Sequence, residues 1–112
     1  MKFVSNITDK ELHIIIQDES ITNTLRTVDI IKHVTEFKRP VIRIDLCNVK
    51  YASSVLVNAL VAIRNITKSK IFIHNVNEDV LMLIEIVGLQ NIFQIVNDYE
   101  HTNQPKSMYT IS

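Results

Sequence analysis

Glycine is nearly absent from this chain of 112 residues: Gly88 is the only one. No glycine-rich loop can cradle a phosphate, so the nucleotide-binding fingerprints that need one are excluded. Cysteine is as scarce. Cys47 stands alone, which rules out an internal disulfide framework, and its strand-like, apolar neighbours mark it as a small core or turn residue. Charge of one sign is missing too. Twelve basic and twelve acidic residues cancel, leaving no basic excess for nucleic acid and no acidic run for a disordered tail. The apolar runs Val55–Ile66 and Val80–Leu89 are interrupted or too short to span a bilayer. The opening MKFVSNITDK lacks the apolar stretch of a secretory signal. These absences point to a cytoplasmic protein with no direct membrane insertion and no cofactor. With 46% apolar and 21% charged residues, the chain suits one soluble domain large enough to bury a core.

What is present is alternation. ELHIIIQ (Glu11–Gln17) is rich in β-branched residues and reads as a strand, with Phe3–Ile7 a shorter one before it. TNTLRTVDIIKHVTEF reads as a helix: Thr22 or Asn23 can cap it, and Leu25, Val28, Ile31 or Ile30, Val34 and Phe37 recur at helical spacing. Pro40 closes it, because the residue before a proline disfavours the helical region. Val41–Leu46 is a strand. Val55–Thr67 is a helix with Leu56, Ala59, Leu60 and Ile63 along one face, and Lys70–Val76 is again a strand. Asn77 suits the N-cap of a third helix, Glu78 and Asp79 suit its positive end, and Gly88 stands where a left-handed cap is expected. Asn91–Val96 is a last strand. This order predicts an α/β fold, a mixed, mostly parallel sheet with helices packed on it and the opening pair as an antiparallel hairpin at one edge. Residues 1–98 form the domain. Residues 99–112 form a polar C-terminal tail whose end, SMYTIS, fits either an edge strand or a segment docked on a partner.

The stretch IDLCNVKYASSVLVNAL sets two hydroxyls, Ser53 and Ser54, where a strand-like run gives way to a helix-like one. Loops leaving the carboxyl ends of parallel strands gather on one rim, where function usually sits. Capping explains one serine, since the first N–H groups of a helix lack partners. A phosphate on such a serine meets those donors and the positive helix end, and places roughly two negative charges on an otherwise apolar patch. Such a patch docks a partner when neutral and repels it when charged. Competing chemistry is poorly supported. His13, His33, His74 and His101 show no metal-ligand spacing, so no metal is expected. Ser54 has no Gly-x-Ser-x-Gly elbow, and Asp45 reads as a turn residue bonding local N–H groups, so no catalysis is expected. His74 reads as a satisfied, half-buried side chain. In the third helix Leu81, Met82, Leu83, Ile84, Ile86 and Val87 cannot all face one sheet; the tail, a partner or a second copy must cover the excess, so a homodimer is one option.

IRIDLCNVKYASSVLVNALVAIRN resembles the central motif of STAS domains, the family of bacterial anti-sigma factor antagonists. That motif is a hydrophobic strand ending Asp-Leu, a valine, an aromatic, an Asp-Ser-Ser/Thr-Gly core and a helix of Leu-Gly-Ala-Leu type. Asp45 and Leu46 match the strand end, Val49 and Tyr51 the valine and aromatic, and Ala59 and Leu60 the helix. LMLIEIVGLQNIFQIV resembles the family's closing segment through Leu83, Gly88, Leu89 and Phe93. The resemblance spans residues 3–97. An ungapped match sets Ser54 on the family's phosphorylated serine, with Ser53 a second candidate in place of the preceding aspartate. Val55 replaces a small hydroxyl residue, and Leu56 and Asn58 replace glycines; the leucine is expected to fill the gap through which a partner's backbone approaches.

The resemblance implies a STAS-like fold and a non-enzymatic module that docks on a kinase-type anti-sigma factor, releases a sigma factor, and is switched by serine phosphorylation. The docking surface it implies comprises Asp18, Glu19 and Ile21, then Tyr51, Ser53, Ser54 and Val55, then Asn75 and Asn77. Two alternatives follow from the same fold: a small STAS subunit bound to the ATPase of a lipid-transport ABC complex, and a small-molecule-binding or enzymatic domain of flavodoxin-like shape. The missing phosphate glycines count against the latter.

Overall fold

Side chains alternate along the strands, and the alternation builds a sheet with one apolar face. The computed structural model describes residues 2–22, 27–86, 88–89 and 91–96. Its elements run β1 (Phe3–Ile7), β2 (Glu11–Ile16), β3 (Ser20–Ile21), α1 (Val28–Glu36), β4 (Val41–Asp45), β5 (Tyr51–Ala52), α2 (Ser54–Thr67), β6 (Lys70–His74), α3 (Glu78–Ile86) and β7 (Gln94–Val96). The main sheet has the order β1-β2-β4-β6-β7, with β1 antiparallel at one edge and the rest parallel. The register lines Leu12, Ile42 and Ile71 into one apolar row and Ile14, Ile44 and Ile73 into the next. Both rows are buried, in one cluster with Ile30 and Val34 of α1, Leu56, Leu60 and Ile63 of α2, and Val80 and Ile84 of α3. Each fully buried aliphatic side chain contributes about 1.5–3 kcal/mol of transfer free energy, so these rows dominate the stability of the sheet. All three helices therefore cover the same face.

Several boundaries differ from expectation for identifiable reasons. The first described helical residue of α1 is Val28, Thr22 is not helical, and the expected positions Asn23 and Leu25 lie outside the described residues. Val28 is exposed, and the buried face of α1 is set by Ile30 and Val34, with Ile31 only half-buried. β6 stops at His74 because Asn75 takes a left-handed conformation (φ 58°) and turns the chain. β7 is shorter than expected, since Phe93 donates its N–H to Leu89 O and the preceding residues form a turn. The expected tail, residues 99–112, lies outside the described residues.

Gly88 performs the role expected of it. With φ 75° it donates its N–H to Glu85 O (3.0 Å), and Leu89 donates to Ile84 O (3.1 Å), closing the end of α3 with the paired bonds of a left-handed C-terminal cap. A Cβ at this position would meet nothing within 4 Å, so only the backbone conformation resists a side chain. Gly88→Ala is expected to cost about 1 kcal/mol in urea unfolding, the left-handed penalty alone.

No described element covers the reverse face of the sheet. Arg43 lies at its centre. Its Nε donates to Glu11 Oε1 (2.8 Å), Nη1 is 3.2 Å from His74 Nε2, and its guanidinium sits 4.3 Å from the Phe72 ring centroid. Hydrogen bonding and charge from Arg43 hold the Glu11 carboxyl below its ordinary 4.5. A depressed carboxyl stabilises the fold above its unfolded pKa, and that contribution is lost as pH falls through the folded value. In Arg43→Ala, an NMR titration of Glu11 should move back up toward 4.5.

Candidate protein-docking site

The two adjacent serines divide the work of one helix start. Ser53 is the N-cap of α2: its backbone is extended (φ −116°, ψ −173°) and its Oγ accepts the Val55 N–H at 3.2 Å. Its carbonyl accepts from Leu56 N–H, and its own N–H donates to Ile21 O at 3.2 Å. Ser54 is the first helical residue and is exposed. Because Ser53 does the capping, the Ser54 hydroxyl is not consumed by the helix. The first turn of α2 carries no acidic side chain, so the helix brings no carboxylate of its own to its positive end.

The junction is held in place by a short parallel ladder that the sequence did not reveal. β3 pairs with β5 as Ser20 with Tyr51 and Ile21 with Ala52. Glu19 O accepts from both Lys50 N–H (2.8 Å) and Tyr51 N–H (2.9 Å), and Lys50 Nζ is 3.7 Å from Glu19 Oε1. The acidic loop after β2 is thereby tied to the segment that leads into the serines. Asp18, Glu19, Ser20 and Thr22 line a depression of about 370 Å³ beside it. Ser20 and Lys50 were not singled out from sequence, and Thr22 was read only as a helix cap; two-residue strands carry too little alternation to be recognised.

The third contribution comes from the loop after β6. Asn77 Oδ1 accepts the Val80 N–H (2.9 Å) and caps α3, while its Nδ2 donates to Val49 O (3.1 Å) and Lys50 O (3.2 Å). Asn75 donates its N–H to Val96 O and holds its Nδ2 3.4 Å from both carboxylate oxygens of Asp45. Asp45 Oδ1 also accepts the Cys47 N–H at 2.9 Å, which is the turn role expected of it. Partial burial pushes the Cys47 thiol above its ordinary value, and its hydrogen bond and charge interaction with Asp45 push it the same way. The thiol is an exposed turn residue kept protonated, not an activated nucleophile.

The rim therefore brings together Asp18, Glu19, Tyr51, Ser53, Ser54, Val55, Asn75 and Asn77, with Tyr51 and Ser54 the most outward of the junction residues. Two expectations need correction. Ile21 is 0% exposed; its side chain belongs to the core and only its backbone serves the rim. Leu56 is 2% exposed and turns into the core, so it does not fill the gap in front of a partner; Asn58 is the replaced glycine that reaches the surface. His74 is buried beside Arg43, whereas His13 Nε2 is buried with no partner among the described residues. The two rings lie 6.1 Å apart on the reverse face of the sheet. No group of three His, Cys, Asp or Glu side chains stands together for a metal among the described residues. No described helix is long and apolar enough to cross a membrane.

No family model matches the sequence, and no curated protein matches it. Solved structures do match the fold. The anti-sigma factor antagonist SpoIIAA in its unphosphorylated form superposes with a TM-score of 0.69 at 13% identity, covering 89% of this chain and 92% of that one. The same protein from Bacillus in its phosphorylated form gives 0.60 at 10% identity. A STAS domain protein of Planctomyces limnophilus gives 0.67 at 11% identity over 88% of this chain and 92% of its own. A Thermotoga maritima protein assigned as an anti-sigma factor antagonist gives 0.61 at 20% identity over 88% and 89%. The chain has the STAS fold, as its central and closing motifs led one to expect.

Proposed function

We propose that the chain is a non-enzymatic protein-binding module of the anti-sigma factor antagonist type. It docks through the rim around Ser54 on a kinase-type anti-sigma factor, and phosphorylation of Ser54 releases it. One observation carries this proposal: Ser53 supplies the helix cap, so Ser54 is left exposed at the first position of α2, its hydroxyl without a partner among the described residues. A phosphate there gains the first-turn N–H groups and the positive helix end, so the modification keeps the helix. It also adds about two negative charges to the rim that carries Asp18 and Glu19, which a partner has to desolvate. SpoIIAA, whose fold this chain shares, exists in both phosphorylated and unphosphorylated forms. The kinase contributes the nucleotide site, since this chain has no glycine-rich loop to hold one.

Incubation with a cognate anti-sigma kinase and ATP, followed by intact mass, tests the assignment. One phosphate is expected on the native chain and on Ser53→Ala, and none on Ser54→Ala. A phosphate that persists in Ser54→Ala and vanishes in Ser53→Ala moves the acceptor by one residue. A kinase that binds the chain but modifies neither serine removes the switch. Recovery of a Walker-motif ATPase instead of a kinase-like protein supports the ABC-subunit alternative.

A further inference from the structure

We propose that the pole opposite Ser54 docks on an anionic membrane surface. The chain is neutral overall, but its charges are separated. The amino-terminal ends of the parallel strands and the carboxyl ends of the helices share one pole, and Lys10, Lys38, Arg39, Arg64, Lys68 and Lys70 stand on it against Asp9, Glu11, Glu36 and Glu85, of which Glu11 is already paired with Arg43. The Ser54 rim is acidic by contrast, with Asp18, Glu19, Asp45, Glu78 and Asp79 against Lys2 and Lys50. An anionic surface attracts the first pole and repels the second, which fixes orientation as well as attraction.

The basic pole is rigid. Arg39 Nε donates to Thr8 O (2.8 Å), Val41 N–H to Lys10 O (3.2 Å) and Lys70 N–H to Pro40 O (3.0 Å), while Ser69 Oγ donates to Arg39 O. These bonds join three loops around a cleft of about 290 Å³ lined by Lys38, Arg39, Pro40, Thr67, Lys68 and Ser69. Among the described residues the Arg39 guanidinium bonds only backbone carbonyls, so its charge is not spent on a carboxylate there. Lys68 ends α2 in a left-handed conformation (φ 59°), where glycine is the low-energy choice, so a cation stands at a position that favours none.

Apolar side chains are interleaved with these charges. Ile66 (47% exposed) precedes Thr67 and Lys68, and Ile7 ends β1 beside the β1–β2 turn that carries Lys10. Ile86 (75% exposed) ends α3, and Ile92 falls at the level of Lys70 by register count from Phe72 and Gln94. Scattered exposed aliphatics are ordinary, but four isoleucines among six cations on one pole match the pattern that seats a protein at a lipid interface. The contact is interfacial, and it leaves the Ser54 rim facing away from the membrane and open to a partner.

Co-sedimentation of the full chain with vesicles tests the assignment. The probes are phosphatidylcholine alone and phosphatidylcholine with one third phosphatidylglycerol, at low and high salt. Binding is expected to the anionic vesicles only, and to fall with salt. Each cation near an anionic surface contributes about fivefold to partitioning, so Lys38→Ala/Lys68→Ala should weaken binding about 25-fold. Lys2→Ala/Lys50→Ala removes the same net charge at the other pole and should change it less than about threefold. Ile66→Ser/Ile92→Ser should also weaken binding without changing its salt dependence. No binding to anionic vesicles at low salt, or equal losses from the two lysine pairs, overturns the proposal. So does full displacement by millimolar inorganic phosphate, which would reduce the cleft to a site for free anions.

Discussion

Ile44→Ala lowers the free energy of unfolding by about 3–4 kcal/mol. Ile44 lies in the middle of β4, which is paired on both sides, and its side chain is 0% exposed between Ile14 and Ile73 in the buried row. Truncation removes the transfer free energy of the lost methylenes and leaves a cavity that neighbours held by two strand ladders cannot close. A domain of this size commonly has about 5–15 kcal/mol of stability in total, so the variant should fold but melt early. Urea unfolding gives the number. Val4→Ala is the matched control: Val4 is exposed on the edge strand and should change stability by less than about 0.5 kcal/mol. A loss below about 1 kcal/mol for Ile44→Ala would contradict the one-sided core.

Asn77→Ala costs about 2 kcal/mol and loosens the approach to the serines. The side chain makes three bonds at once, one capping α3 and two holding the carbonyls of Val49 and Lys50. The lost cap accounts for about 1 kcal/mol and the two donated bonds for the remainder, less what water restores at the exposed carbonyl. Asn77→Asp separates the parts. It keeps an acceptor for Val80 N–H, loses both donated bonds, and turns a carboxylate toward two carbonyl oxygens. Hydrogen exchange should then show α3 still protected in Asn77→Asp but Lys50 and Tyr51 exposed to exchange, whereas Asn77→Ala should open both. Uniform protection in both variants would mean that Asn77 does not couple α3 to the rim.

Legibility of the sequence follows the length scale of each feature. The sheet was readable because β2, β4 and β6 are short runs rich in β-branched residues, and because Pro40, Asn77 and Gly88 mark element ends by local chemistry. The order of helices and strands then left few topologies, and the resemblance of the central and closing segments to STAS motifs chose among them. Two features were not readable. The β3–β5 ladder involves two residues per strand, fewer than a pattern needs. Leu56 was legible by helical spacing, which set it on one face with Ala59, Leu60 and Ile63; only the motif match, which carries no helix rotation, turned it toward a partner. The burial of Ile21 comes from tertiary packing of a short segment that reads locally as part of an acidic loop. Of the candidate site, the division of labour between Ser53 and Ser54 was only half visible: capping predicted that one serine is engaged, and the Ser53 Oγ bond to Val55 N–H identifies which.

Calorimetric titration against the cognate anti-sigma factor, with one preparation before and after stoichiometric phosphorylation, is the most direct measurement. The unmodified chain is predicted to bind, and the chain phosphorylated at Ser54 to bind at least about tenfold more weakly, with Ser54→Asp between them. Equal affinity for both forms, or a loss that tracks a phosphate on Ser53 instead, would contradict a switch built on the free hydroxyl at the start of α2.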